Sequence, residues 1–218
     1  MSIGVKICGL NSPEAVGASV DAGADYLGFI VFEKSPRAVT AAEAGAYAKG
    51  KGSASSVAVL VDPDDAMLAR VLTGMAPDYI QLHGQESPQR CQDARHYARR
   101  GVWKAFGIAS AADLQAARRY EGYVDGFVFD AKPPAGADRP GGWGAAYDWS
   151  LLHDFESETP WLLSGGLTPQ NVAESLARSG ARGVDVASGV ESAPGVKDLD
   201  AIPAFIGAAR AASGTSRS

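Results

Sequence analysis

Hydrophobic positions along this chain follow two alternating rhythms. Short apolar runs rich in β-branched and aromatic residues fall at 5–8, 26–32, 56–61, 79–83, 102–106, 126–130, 161–164 and 183–186. Their length and bounding glycines and polar residues predict β-strands. Between them lie alanine-rich stretches with apolar residues at helical spacing. Asn11 or Ser12 ahead of Pro13 predicts a capped helix start, and Asp62-Pro63, Ser87-Pro88 and Thr168-Pro169 repeat that arrangement. Thr40, Ser110 and Asp148 are further candidate caps. The last helix is expected over 199–212, with a frayed polar tail over 213–218.

A loose repeat supports this parsing. Ala22-Gly23-Ala24-Asp25-Tyr26, Ala76-Pro77-Asp78-Tyr79 and Ser179-Gly180-Ala181-Arg182-Gly183 each join a helix end to the next strand, where glycine allows the left-handed stop. Eight strands alternating with helices make either an open doubly wound sheet or a closed (β/α)₈ barrel. The open sheet calls for a G-x-G-x-x-G turn after its first strand, and Cys8-Gly9-Leu10-Asn11 is not one. The expectation is therefore a (β/α)₈ TIM barrel, one domain over 1–212, with the Pro/Gly-rich stretch 132–144 as a long βα loop.

Strand side chains alternate between faces, so parity separates the barrel interior from the helix side. It turns Lys6 and Cys8 inward on the first strand, Gln81 and His83 on the fourth, Asp130 on the sixth and Asp185 on the eighth. A buried polar group left unpaired costs about 1–3 kcal/mol, so this concentration calls for an explanation. Each residue also has a plain reading. Cys8 suits a small buried apolar site, as does Cys91 in its helix; His83 suits a hydrogen-bonded rim position. Asp130 could cap the next loop, and Asp185 could be a paired core carboxylate, with Lys6 offsetting one of the acids. Their convergence where barrels of this fold carry their chemistry favours a functional site.

Two glycine turns, Ser164-Gly165-Gly166-Leu167 and Ala187-Ser188-Gly189-Val190, follow the last two strands. Loops at this place bind phosphate in many barrels, since glycine lets backbone N–H groups approach an anion. A short helix beginning near Ser188 would add its positive end. Gly165, Gly166, Ser188 and Gly189 are the candidate phosphate-binding residues, and the expected ligand is a small phosphate monoester.

Five ordered segments give the chain a close resemblance to a known family. They are Val5-Lys6-Ile7-Cys8-Gly9, Phe32-Glu33-Lys34-Ser35-Pro36-Arg37, Gln81-Leu82-His83-Gly84, Leu163-Ser164-Gly165-Gly166-Leu167 with Asn171, and Gly183-Val184-Asp185-Val186-Ala187-Ser188-Gly189-Val190-Glu191. In these segments the chain resembles phosphoribosylanthranilate isomerase, of tryptophan biosynthesis. The resemblance implies a (β/α)₈ fold and a cofactor-free, metal-free isomerisation of N-(5'-phosphoribosyl)anthranilate to the 1-deoxyribulose phosphate. It implies Cys8 as general base, Asp130 as general acid and Arg37 as the anchor of the anthranilate carboxylate. Lys6, His83 and Asp185 would support them, with Lys6 favouring a thiolate at Cys8 and desolvation or a nearby anion keeping Asp130 protonated. Many relatives carry a second serine where this chain has Ala187.

Composition narrows the remaining choices. The chain has 218 residues, 46% of them hydrophobic and 21% charged, with a net charge of −5. No basic cluster offers a track for nucleic acid. No apolar run reaches the roughly 20 residues of a membrane span, and the N-terminus leads straight into a strand, so no membrane partner or leader is expected. Two distant cysteines fit a reduced cytoplasmic protein. Polar-faced helices point to a monomer, with a homodimer as the alternative. The rivals are other phosphate-binding barrels and a non-catalytic metabolite-binding barrel. The histidine-pathway sugar isomerase uses an aspartate where this chain has Cys8, and indole-glycerol-phosphate synthase needs lysine and glutamate residues with no clear counterpart here. A non-catalytic barrel would leave Cys8 and Asp130 without a task.

Overall fold

The structure is a computed structural model, and it describes residues 3–133, 136, 141 and 146–214, with side chains to 212. Eight parallel strands close into a barrel in chain order. They are β1 (Gly4–Cys8), β2 (Tyr26–Ile30), β3 (Ser55–Leu60), β4 (Tyr79–Leu82), β5 (Gly101–Ile108), β6 (Gly126–Ala131), β7 (Trp161–Leu163) and β8 (Gly183–Val186). Closure comes from β1 pairing with β8, which sets Lys6 opposite Asp185, while on the other side Cys8 faces Gly28 of β2. The strands are buried on both faces, which is why they read as nearly continuous apolar runs.

Among the described residues, seven helices surround the strands: α1 (Pro13–Asp21), α2 (Ala41–Ala48), α3 (Asp65–Gly74), α4 (Pro88–Ala94), α5 (Ala111–Arg118), α6 (Val172–Ser179) and α7 (Ala201–Gly214). Between β6 and β7 the described residues form only a 3₁₀ turn, Trp149–Leu152. After β8 comes another such turn, Ser188–Val190, and then a small antiparallel hairpin of β9 (Glu191–Ala193) and β10 (Val196–Lys197).

Two apolar layers divide the core. The outer one packs strand residues such as Ile7, Leu27, Ile80, Phe127 and Phe129 against the helices. The inner one fills the barrel with Val57, Val59, Trp103, Ala105, Val128 and Leu162, as alternation along the strands requires. Its floor is aromatic: the Trp103 ring lies 4.9 Å from Tyr26 and 4.8 Å from Tyr79. The interior is thus apolar at the floor and turns polar toward the C-terminal rim, where the buried Lys6, Gln81 and Asp185 join it.

A carboxylate clasp recurs at the N-terminal ends of the strands. Asp25, just before β2, accepts the Val5 N–H at 2.7 Å. Asp78, before β4, accepts that of Ser56 at 2.8 Å, and Asp125, before β6, that of Val102 at 2.8 Å. Each is paired with a cation: Arg210, Lys51 and Arg95 respectively. Before β8 the corresponding residue is Arg182, which has no acceptor to offer.

The helix starts agree with the expected caps at Ser12, Thr40, Ser87 and Ser110, Thr40 forming a full capping box with Glu43. Two do not. α3 is capped by Asp64, because Asp62 adopts a left-handed backbone and its carboxylate accepts from Gln85 N instead. At α6 Thr168-Pro169 belongs to a preceding turn closed by Asn171 Oδ1 on Thr168 N, and the helix starts at Val172. The expected frayed tail begins too early, since α7 continues to Gly214; 215–218 lie outside the described residues. So does most of the proposed 132–144 loop, of which only Lys132, Pro133, Gly136 and Gly141 are described.

Candidate active site

The C-terminal rim opens into a cleft of about 720 Å³, including space open to solvent. Its walls carry Cys8, Arg37, His83, Asp130 and Asp185, together with the four candidate phosphate residues Gly165, Gly166, Ser188 and Gly189. Lys6, fully buried, lies just beneath. A larger hollow at the opposite end, under Tyr26, Tyr79 and Trp103, contains none of these groups.

Cys8 ends β1 with its side chain inward. The room for it comes from Gly28, where a Cβ would stand 3.0 Å from Cys8 Sγ and 3.1 Å from Lys6 Nζ. A glycine inside a strand is the sequence mark of such close approach. Lys6 Nζ donates to Asp185 Oδ1 at 2.8 Å, and Ser164 Oγ donates to Asp185 Oδ2 at 3.3 Å. Burial works to lower the Lys6 pKa, yet Asp185 and Cys8 hold it above its ordinary value. The Cys8 thiol is also pushed up, by burial first; Lys6 draws it down and Asp185 raises it further. The expected thiolate-favouring effect of Lys6 is therefore real in direction but outweighed. In the open cleft Cys8 rests as a thiol.

Asp130 lies inward near the end of β6. Burial pushes its pKa up to about 7 and the charge of Asp185 adds to this, against a backbone bond from Ala131. That bond reaches Oδ1 at 2.8 Å, and Oδ2 stands 3.7 Å from His83 Nε2. His83 is held neutral: burial, then the charges of Lys104 and Lys6, bring its pKa down to about 3. Asp130 can thus hold a proton near neutral pH, as an acid must. Lys104, on the outer face of β5, binds Glu86 at 3.2 Å and the Gly84 carbonyl at 2.9 Å, fixing the turn that carries His83.

Arg37 swings into the cleft from the loop after β2. Its Nε and Nη2 donate to the two carboxylate oxygens of Glu191 at 2.7 and 2.8 Å. Lys197 Nζ completes the group, 2.9 Å from Glu191 and 2.7 Å from the Ala187 carbonyl. Burial would raise the Glu191 pKa, but Arg37 and Lys197 keep it low; burial lowers that of Lys197. Two cations share one anion, so a positive charge is left over beside the cleft. Lys197 has no local sequence signal, and Glu191 stood in a recognised motif without a role.

Gly165 and Gly166 have φ of +92° and +68°, where side chains other than glycine are strained. A Cβ on Gly165 would also stand 2.6 Å from Ala131 N at the end of β6, and one on Gly189 would overlap the Leu167 carbonyl, so the second turn lies directly against the first. The helix expected near Ser188 is a three-residue 3₁₀ turn, too short for much of a dipole. Among the described residues, no three His, Cys, Asp or Glu side chains are grouped to hold a metal ion, and no helix is long and apolar enough to cross a membrane.

Comparison with known proteins agrees with this architecture. The family model of N-(5'-phosphoribosyl)anthranilate (PRA) isomerase matches residues 5–208. The N-(5'-phosphoribosyl)anthranilate isomerase of Rhodospirillum rubrum is 49% identical over 211 residues, covering 94% of this chain and 97% of that one. The crystal structure of phosphoribosyl anthranilate isomerase from Thermotoga maritima superposes with a TM-score of 0.84 at 33% identity, covering 96% and 99% of the two chains. A phosphoribosyl anthranilate isomerase solved in complex with reduced 1-(o-carboxyphenylamino)-1-deoxyribulose 5-phosphate gives 0.81 at 31% identity, with the same coverage. With an eight-stranded barrel, a match spanning nearly every strand and relatives of this identity, the chain belongs to the N-(5'-phosphoribosyl)anthranilate isomerase family, which serves tryptophan biosynthesis.

Proposed function

We propose that the cleft isomerises N-(5'-phosphoribosyl)anthranilate to 1-(2-carboxyphenylamino)-1-deoxyribulose 5-phosphate, with Asp130 as acid and Cys8 as base. The observation that carries this reading is a carboxyl whose pKa is raised to about 7 in the same cleft as an inward thiol beside a buried ammonium. Asp130 protonates the furanose ring oxygen, and the ring opens to an iminium. The Cys8 thiolate then removes the C2' proton, leaving an enolamine that tautomerises to the ketone. Lys6 stabilises the thiolate as it forms, while Asp185 holds Lys6 in place. His83, neutral, stands behind Asp130 without competing for its proton.

The same reading gives the substrate two anchors. The glycine turns at Gly165-Gly166 and Ser188-Gly189 offer backbone N–H groups to the phosphate, and Arg37 takes the ring carboxylate. Ala187 supplies no hydroxyl there. We read residues 1–212 as one domain acting as a monomer in the cytoplasm. Two free cysteines fit a reduced compartment, and the large apolar side chains exposed among the described residues are few: Leu72, Tyr123, Val196 and Leu199.

The test is turnover of freshly made N-(5'-phosphoribosyl)anthranilate by the purified protein and by Cys8→Ser. Serine keeps the shape but is far too weak an acid to supply an anion. It should lower kcat by at least ~10², the low end of what a general base contributes, with product-analogue binding largely intact. Near-normal turnover by Cys8→Ser overturns the assignment.

A further inference from the structure

The hairpin of β9 and β10 follows the last barrel strand and carries no group of the proposed chemistry, yet it meets the cleft at two places, Arg37 and Ala187. Glu191 at its start grips Arg37 through both carboxylate oxygens. Lys197 at its end bridges Glu191 and the Ala187 carbonyl. Its turn is held as well: Gly195 N donates to Glu191 Oε2 at 3.3 Å, and Asn11 Nδ2 donates to the Gly195 carbonyl at 2.8 Å. These three ionic side chains are at most 5% exposed. Burying three charges together is costly and seldom stabilises a fold beyond what apolar packing would achieve. Such a cluster is better explained by geometry than by stability.

The geometry concerns the guanidinium. Nε and Nη2 form one edge of the fork, and Glu191 occupies it. The other edge, made of Nη1 and the second Nη2 hydrogen, has the spacing of a carboxylate. Fixing one edge sets the direction of the other, because the group is planar. Lys197 adds a second constraint, since it ties the same Glu191 to Ala187, the residue before the Ser188-Gly189 turn.

We infer that this hairpin is a spacer between two anion anchors: Glu191 aims the free edge of Arg37 at the aromatic carboxylate, and Lys197 fixes how far that edge stands from the phosphate turn. Glu191 and Lys197 are positioning residues that select ligands carrying both a carboxylate and a phosphate at one separation. The inference rests on the proposed role of Arg37.

Calorimetric titration of two probes tests it. One is reduced 1-(2-carboxyphenylamino)-1-deoxyribulose 5-phosphate, which has both anions; the other is ribose 5-phosphate, which lacks the ring. Arg37→Ala and Glu191→Gln should each weaken the first by about 10-fold or more and leave the second within about 2-fold. In the Arg37→Ala background, Glu191→Gln should have no further effect, since contacting residues that act as one unit are not additive. Lys197→Met should weaken both probes, because it frees Ala187 too. In turnover, Glu191→Gln should raise KM more than it lowers kcat. If Glu191→Gln fails to fold, Glu191→Asp, which keeps the charge on a shorter arm, reads the same contrast. Equal loss of both probes with Glu191→Gln, or an undiminished effect in the Arg37→Ala background, makes the cluster a plain structural clasp and overturns the inference alone. Equal loss with Arg37→Ala overturns the carboxylate reading, and the inference with it.

Discussion

Asp130 and Cys8 have both been moved toward their proton-bound forms, and this has a kinetic consequence. Catalysis as proposed needs Asp130 protonated and Cys8 ionised. Since Asp130 loses its proton at about 7 and the thiol is held above its ordinary value, the active pair is a minority form at every pH. The kcat/KM profile should rise with pH, level off near 7, where Asp130 begins to ionise, and fall only in the alkaline range, where Cys8 is fully ionised. In Asp130→Asn, kcat should fall by at least ~10², and the residual activity should keep rising through pH 7. A break near 7 that survives in Asp130→Asn would assign it to another group.

The same shift acts on stability, with a sign opposite to that of most carboxylates. Folded Asp130 keeps its proton to about 7, whereas an unfolded aspartate releases it near ~3.9. Its contribution is therefore full below the unfolded value and is lost as pH rises to about 7, staying lost above. Asp130→Asn should accordingly be more stable than the parent at pH 8, by roughly 2–4 kcal/mol, and no more stable at pH 4, as read by denaturant melts. At this scale parity was enough to turn Cys8 and Asp130 into the barrel, because alternation in a strand is strict. It could not find the partners of Arg37, since Glu191 lies 154 residues away and only the closed barrel brings them together.

At the scale of elements, the clasps at Asp25, Asp78 and Asp125 make a graded series. The side chain of Asp78 is 10% exposed, against 33% for Asp125 and 42% for Asp25. Removing Asp78 strands the buried Ser56 N–H and Lys51, while water can replace the outer two. Asp78→Ala should therefore cost about 2–4 kcal/mol and Asp25→Ala under about 1 kcal/mol, with active-site ligand binding unchanged. Equal costs would mean that solvent reaches all three. Lys51 and the Ser56 groups hold Asp78 below its ordinary pKa despite burial, so its contribution is present above the usual carboxylate value and fades as acid drives pH through the lowered one. Elements were read well where one local rule decided them, as in β8, whose bounds match the expectation, and in the cap at Thr40. They were misread at Asp62 and Thr168, where a tertiary hydrogen bond and a preliminary turn took residues that resemble caps. The β9–β10 hairpin left no mark, since two- and three-residue strands are too short for periodicity to register.

At the scale of the molecule, stability and chemistry sit at opposite ends of one barrel. The aromatic floor and the clasps lie at the N-terminal ends of the strands, and the titrating groups lie at the C-terminal rim. The closed topology was legible because eight strand–helix alternations with no dinucleotide-binding turn leave few arrangements. The register of the closing pair, with Lys6 set against Asp185, could not be seen, as it joins the two ends of the barrel sequence.

The clasps also partition the chain. Each one locks a βαβ pair, β1 with β2, β3 with β4 and β5 with β6, and among the described residues the last two strands have no equivalent. The barrel is in this sense segmented, and it should tolerate being made in pieces if the breaks fall between segments. Fragments 1–49 and 50–218, co-produced, keep Asp25 with Val5 and Asp78 with Ser56 and Lys51, and should reassemble into an active enzyme. Fragments 1–22 and 23–218 divide Asp25 from Val5 and should yield far less, though that cut too falls in an exposed turn. Comparable recovery from both pairs would mean that the strands find their neighbours by barrel closure alone, without help from the carboxylates that bind them two by two.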